Sequence, residues 1–252
     1  MAQFADEDKL LLSRAEDALR LAGVHYSVKT FGFLNPRQRA FLEKLLLPAA
    51  DMRAVFDGGY AEAERTLLVC YPEFYVPEPE EYLCLLEITG RDIGGLSHRD
   101  YLGSLMGLGI TRENIGDILV LENRTLVFVK PEIAPYILQN LSKIGRCGIK
   151  IRRQEPSSAE IPSRSVRDVQ GTVSGLRLDS VLSVGIGLSR SKTVELIHSG
   201  LVSVNWEPVQ EPDVSLKEGD VISARGYGRM CLSRIGGLTR KNRYAITVSR
   251  YV

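Results

Sequence analysis

The 252-residue sequence has little material for a metal site or a disulfide framework. Its four cysteines, Cys70, Cys84, Cys147 and Cys231, are far apart and form no CxxC pair. That spacing excludes the common zinc and disulfide scaffolds and fits a reducing cytoplasm. The three histidines, His25, His98 and His198, share no ligand spacing. No apolar run is long enough to span a bilayer and no signal peptide is visible, so a cytoplasmic protein without membrane contact is expected. No set of nucleophile, base and oxyanion donors can be assembled, and no cofactor loop is present. The expectation is therefore no catalysis, no cofactor and no metal.

What is present is ordinary globular composition with an uneven charge. Apolar residues make up 44% and charged residues 25%, enough for two or three small domains. Residues 1–155 carry 19 basic and 22 acidic side chains, whereas residues 156–252 carry 13 and 9. From Arg225 to the end there are seven basic residues and no acidic one. A polyanionic partner would meet that end.

In chain order, residues 8–21 read as a helix with Leu11, Leu12, Ala15, Ala18, Leu19 and Ala22 on its buried side. Residues 24–33 are mixed. Pro36 suits the first turn of a second helix that stops at Pro48. Residues 55–60 read as a turn, 66–71 as a strand and 72–79, with three prolines, as an extended linker. Residues 82–88, 116–121, 125–130 and 147–153 then read as strands, with helices over 98–107 and 133–144 between them. This β-α-β-β-α-β order is the ferredoxin-like split βαβ, a four-stranded sheet with both helices on one face. RRM domains share that fold and stack bases on strand aromatics. Here the inner strands offer only Phe128 and no RNP motif, so the free face reads as a docking or backbone-contacting surface. Residues 154–174 are rich in Ser, Pro and Arg and read as a linker holding one strand, 165–173.

Three catalytic-looking motifs fail. His98-Arg99-Asp100 matches the start of a kinase catalytic loop, but the required Asn is Leu105 and no DFG follows. Gly107-Leu108-Gly109 opens a GxGxxG whose third glycine is Arg112, and it follows a helix rather than a strand. Arg177-Leu178-Asp179 resembles a pseudouridine synthase motif. Here Asp179 is better placed to cap a helix or pair with an arginine.

The stretch 176–222 organises the C-terminal part. A short amphipathic turn begins at Leu178. Ser189 sits at the N-cap of a helix with Val194, Ile197 and Leu201 as its apolar stripe and Gly200 as its stop. The period-two strand 202–205 follows. Arg177, Arg190 and Lys192, with Ser189, Ser191 and the helix N-terminal N–H groups, make a phosphate site. These residues, with Leu182, Asn205 and Gly219-Asp220-Val221-Ile222, resemble the S-four RNA-binding module. Trp206-Glu207-Pro208 departs from it, since many members have a small turn residue there.

Two more stretches, Phe56-Asp57-Gly58-Gly59-Tyr60 with Glu64-Arg65, and 98–118, resemble the YlmH family of bacterial proteins. The resemblance covers nearly the whole chain. It implies an α+β protein: an N-terminal αβ region (1–76), a ferredoxin-like domain (77–155), a linker (156–175) and an S-four module (176–252). It also implies a non-enzymatic, monomeric RNA binder, taking rRNA or tRNA on the large ribosomal subunit. That setting is the quality control of stalled nascent chains, beside the factor that adds alanine tails. The expected RNA contacts are Arg177, Ser189, Arg190, Ser191, Lys192 and Asn205, extended by Arg225, Arg229, Arg240, Lys241 and Arg243. His98, Arg99 and Arg112 would form a second patch. The rival readings are an RNA-modifying enzyme of the pseudouridine synthase or methyltransferase type and a cell-division scaffold.

Overall fold

A computed structural model describes residues 6–156, 161 and 166–251. The chain forms two compact units, Met1–Ile161 and Pro162–Val252.

The first unit opens with helix α1 (Asp6–His25), strand β1 (Lys29–Leu34), helix α2 (Pro36–Leu45) and strands β2 (Met52–Asp57) and β3 (Thr66–Pro72). Asn35 caps α2 with Gln38 in a reciprocal capping box, and Pro36 occupies the first turn. The strands form an antiparallel sheet in the order β1-β3-β2. Two segments differ from their sequence reading. Residues 29–34 are a strand whose alternation is broken by a register shift between Phe31 and Phe33. Val55, Phe56 and Asp57, read as part of a turn, pair with β3 as strand β2.

The ferredoxin-like order then appears as expected. It comprises β4 (Cys84–Gly90), α3 (His98–Gly107), β5 (Ile115–Val120), β6 (Thr125–Val129), α4 (Ala134–Asn140) and β8 (Cys147–Gln154). The helix expected to reach Ile144 ends at Asn140. Lys143–Ile144 instead form a short strand β7 that pairs with β8, and Ile144 is fully buried. The sheet order is β5-β6-β4-β8-β7. One face packs on the helices through Leu86, Ile88, Val127, Tyr101, Leu105 and Ile137.

The opposite face, read as a docking or backbone-contacting surface, is where the chain's own N-terminal strands dock. Leu83, Leu85, Leu126 and Phe128 are buried against Phe33, Leu67, Val69 and Tyr71 of the N-terminal strands. The reason lies in β4 and β6, which are apolar on both faces and so need cover on both sides. Phe128 is fully buried and stacks on Tyr60 with ring centroids 5.4 Å apart. Farther along the same sheet, the buried Glu87 carboxylate is paired with Arg152 at 2.8 Å and Arg124 at 3.3 Å.

The stretches 56–65 and 112–117 meet here as a polar clasp. The buried Asp117 carboxylate accepts from Tyr60 Oη at 2.6 Å, Glu64 N at 2.7 Å and Arg65 N at 3.1 Å. Arg65 donates to the carbonyls of Ile115, Phe33 and Arg112. Burial lowers its pKa to about 10. Asp57 receives Gly59 N at 2.8 Å and Tyr82 Oη at 2.6 Å. Gly59 has φ +89°, and a Cβ there would lie 2.5 Å from the Phe128 ring. Only glycine fits.

The second unit contains β9 (Val166–Val173), α5 (Leu178–Ile186), α6 (Arg190–His198), β10 (Val202–Val204), β11 (Glu207–Pro208), β12 (Val221–Ala224), β13 (Gly228–Leu238) and β14 (Tyr244–Tyr251). They form one antiparallel sheet, β11-β10-β12-β13-β14-β9. Strand β9 comes from the stretch read as linker and pairs with β14 over eight residues; Ser165 lies outside the described residues. The core joins Leu178, Val181, Leu182 and Ile197 to Ile222, Met230, Leu232 and Val248. Of the expected stripe, Ile197 is buried, Val194 is half-buried and Leu201 lies beyond the end of α6; the helix also buries Thr193, with Leu196 packed alongside.

Tyr60→Phe removes one donor from the buried Asp117 carboxylate and is expected to cost about 1–3 kcal/mol. Gly59→Ala combines a strained φ with a clash and is expected to cost more. Urea denaturation of both variants checks the order; equal stability of all three proteins would refute the clasp.

Candidate nucleic-acid interface

The start of α5 and the start of α6 are joined by one buried side chain. Asp179 accepts from Arg190 Nε at 2.7 Å, Arg177 Nε at 3.4 Å and Ser180 Oγ at 3.2 Å. Burial pushes its pKa up, but the hydrogen bond and charge of Arg190, with Ser180 and Arg177, hold it below the ordinary Asp value. Asp179 thus pairs with an arginine, as the sequence suggested. The two arginine side chains remain 46% and 56% exposed. Each has one edge on the carboxylate and a large part of its surface in solvent.

Ser189 is the N-cap of α6. Its Oγ accepts from Lys192 N at 3.5 Å and lies 3.2 Å from Ser191 Oγ. Lys192 is exposed. Arg177, Ser189, Arg190, Ser191 and Lys192 therefore come together at the N-terminus of a nine-residue helix. Its unpaired N–H groups and dipole favour an anion there. Among the described residues, no group of three or more His, Cys, Asp or Glu could hold a metal.

The other predicted contacts are dispersed. Asn205 has φ +49°, and its amide joins the β10–β11 turn to the start of β12. Its Nδ2 donates to Asp220 at 2.9 Å, and its Oδ1 accepts from Val221 N at 2.9 Å. Arg243 ties the start of β14 to β9 through Thr172 Oγ1 at 3.1 Å and Thr172 O at 2.6 Å. Arg240 and Lys241 are exposed on the β13–β14 turn, and Arg225 is exposed on the β12–β13 turn, at the opposite end of β13. Arg229 lies over the Trp206 ring, 5.8 Å from its centroid. No sequence signal pairs those two residues; the only hint at Trp206 is that the sole tryptophan stands where a small turn residue is usual.

The second patch does not assemble as expected. His98 and Arg99 are exposed at the start of α3, beside the capping pair in which Ser97 N and Oγ donate to Asp100 at 2.8 and 2.7 Å. These hydrogen bonds lower the Asp100 pKa. Arg112 instead donates to the carbonyls of Ile115 at 2.6 Å and Gly116 at 3.1 Å, and desolvation lowers its pKa. It is part of the clasp. The glycines of this segment also divide. Gly116 abuts Phe33 and Phe128, and Gly109 turns the chain at φ +81°, but Gly103 and Gly107 have open space around them. Close packing thus explains only the first.

Arg190→Ala is expected to cost roughly 1–3 kcal/mol, because Asp179 loses its shortest partner. Lys192→Ala should stay within about 0.5 kcal/mol of the parent. The folded pKa of Asp179 is lowered, so its contribution is fully present above about pH 4 and is lost as pH falls through the folded value. The gap between parent and Arg190→Ala should therefore close in acid. Urea melts across pH measure this, and a gap independent of pH would sink the assignment.

Residues 77–158 match a family model described as "Putative RNA-binding domain in YlmH", and residues 176–222 match the S4 domain. A Bacillus subtilis relative, "Ribosome-associated protein quality control protein P2", is 32% identical over 249 residues, covering 98% of this chain and 96% of the relative. The solved structure "Cell division protein ylmH from Streptococcus pneumoniae" superposes with a TM-score of 0.52 at 23% identity, covering 62% of this chain and 96% of that one. That second likeness bears on fold alone. Identity at this level along nearly the whole of both chains settles the family: the chain belongs to the YlmH family and carries its RNA-binding domain together with an S4 domain.

Proposed function

We propose that the protein is a cytoplasmic, non-catalytic binder of structured RNA, acting on rRNA or tRNA of the large ribosomal subunit during quality control of stalled nascent chains. The observation that carries the reading is the start of α6. There Asp179 holds Arg177 and Arg190 beside Lys192 and a capped helix N-terminus. Such a surface binds phosphates and recognises a folded RNA by shape rather than by sequence. The name of the Bacillus subtilis relative supports the ribosomal setting. In that setting the protein acts as a monomer beside the factor that adds alanine tails.

The reading is tested with Lys192→Gln, since Lys192 is exposed, whereas Arg190 also pairs with the buried Asp179 and its loss would lower stability as well. Affinity of the full chain for large-subunit rRNA should fall, and the slope of log K against log salt should flatten by about one. The variant should also co-sediment less with large subunits. Unchanged affinity and slope would remove α6 as the RNA site. Altered nucleoside content in the rRNA of a deletion strain would favour an RNA-modifying enzyme instead.

A further inference from the structure

We infer that the open edge of β8 in the first unit is a second RNA-contact surface, one that takes the sugar–phosphate backbone of an RNA helix. The inference rests on the RNA-binding reading above and adds to it a surface and a class of RNA element outside the S4 domain.

From Ile133 to Gln154 there are five basic residues and no acidic one. Lys143 and Arg146 sit on the β7–β8 hairpin, Lys150, Arg152 and Arg153 sit on β8, and all five are exposed. Among the described residues, Lys143, Arg146, Lys150 and Arg153 form no ion pair. Arg152 is held by the buried Glu87 carboxylate at 2.8 Å, yet 67% of its side chain stays in solvent. A cation fixed in this way loses less freedom when it meets a phosphate. Glu132 and Glu155 stand just outside the run. Asp92 approaches the hairpin, its carbonyl accepting from Cys147 Sγ at 3.4 Å, but Arg91 stands beside it.

The fold gathers these side chains around one strand edge. Strand β7 pairs with β8 only at Cys147 and Gly148, and Ile149 N donates to Ser142 O at 3.0 Å. Backbone groups of a strand point alternately to its two sides, so Ile151 and Arg153 turn their N–H groups to the same side as Ile149. Among the described residues no strand pairs with them there. Those N–H groups are donors for phosphate oxygens along a line of about 20 Å from Cys147 to Arg153. Ile149 and Ile151 pack on the helix-side core, so alternation places Lys150 and Arg152 on the other face and Arg153 on the helix face. Cations therefore flank the edge on both faces, with the hairpin pair at its end.

The chemistry selects backbone over bases. Residues 143–154 contain no aromatic side chain, so they offer no stacking platform for an unpaired base. RNA helices are recognised instead by shape, through phosphates and 2′-hydroxyls. Charged side chains on an exposed strand also discourage pairing between copies of a protein. That role needs charge only along the strand, whereas Lys143 and Arg146 carry it onto the hairpin, past the open edge.

The full chain and a variant carrying Arg146→Gln, Lys150→Gln and Arg153→Gln are titrated by anisotropy with a mixed-sequence RNA duplex of about 16 base pairs. An oligouridylate and the Lys192→Gln variant are run alongside. The three side chains are exposed, so the fold should hold, and thermal melts check it. The triple variant should bind the duplex about tenfold more weakly, with the slope of log K against log salt flattened by about two to three. Its loss against oligouridylate should be smaller. Equal losses for the two RNAs would overturn the helical ligand. Unchanged duplex affinity and slope, with Lys192→Gln still impaired, would overturn the β8 surface and leave the function above standing. Greater self-association of the triple variant in that case would show that the charges only protect the edge. A polyglutamate peptide bound by the parent but not by the triple variant, with RNA affinity unchanged, would assign the edge to an acidic strand and overturn the inference as well. Unchanged RNA binding in both variants would overturn both readings.

Discussion

The C-terminal unit depends on a buried negative charge that never meets water alone. Asp179 sits under the start of α5, and an unpaired carboxylate there would be too costly to keep. Arg190, at the start of α6, supplies the compensating charge, and Arg177 adds to it. One pair of ionic contacts therefore sets how the two helices begin relative to each other. It also immobilises two guanidinium groups beside Lys192 before any RNA arrives. Preorganised cations lose less side-chain freedom on binding than free ones do. Under the proposed function the same contacts serve folding and recognition.

The N-terminal unit uses the same physics for a different end. Asp117 gathers a tyrosine hydroxyl and two backbone N–H groups, while Arg65 and Arg112 cap carbonyls nearby. The clasp fastens the loop of residues 57–65 over Phe128 and locks the three-stranded sheet against the ferredoxin-like one. What results covers the apolar part of that sheet face, while Lys150 and Arg152 of β8 remain exposed on it. In this unit His98 and Arg99 at the start of α3 and the bare helix surface around Gly103 and Gly107 stay accessible. In the C-terminal unit Arg190 and Lys192 are exposed in the first turn of α6, where unpaired helix N–H groups add to their attraction for an anion.

Much of this was legible in sequence because short-range rules decide it. The β-α-β-β-α-β order, α3, the Ser189 cap, the Gly200 stop and the closing strand 244–251 follow from periodicity, capping and turn residues. Those are interactions within a few residues. Strand β13 was harder, because register shifts after Leu232 and Ile235 break its alternation and place Gly236 and Gly237 inside it. Strand β1 was obscured in the same way.

Charge gave the least reliable signal, since a charged residue reads alike whether it faces solvent or a buried partner. Composition and spacing by themselves determined that the chain carries a cationic α6 start, a basic C-terminal end and an α+β body. Only the tertiary structure decided which charges remain at the surface. It half-buried Arg112 among carbonyls, bound Arg243 to Thr172, set Asn205 on Asp220 and laid Arg229 on Trp206. Apart from Ile115 and Gly116, which lie three and four residues from Arg112, those partners are remote in sequence, and the energy that selects them comes from desolvation, which exists only once the chain has packed.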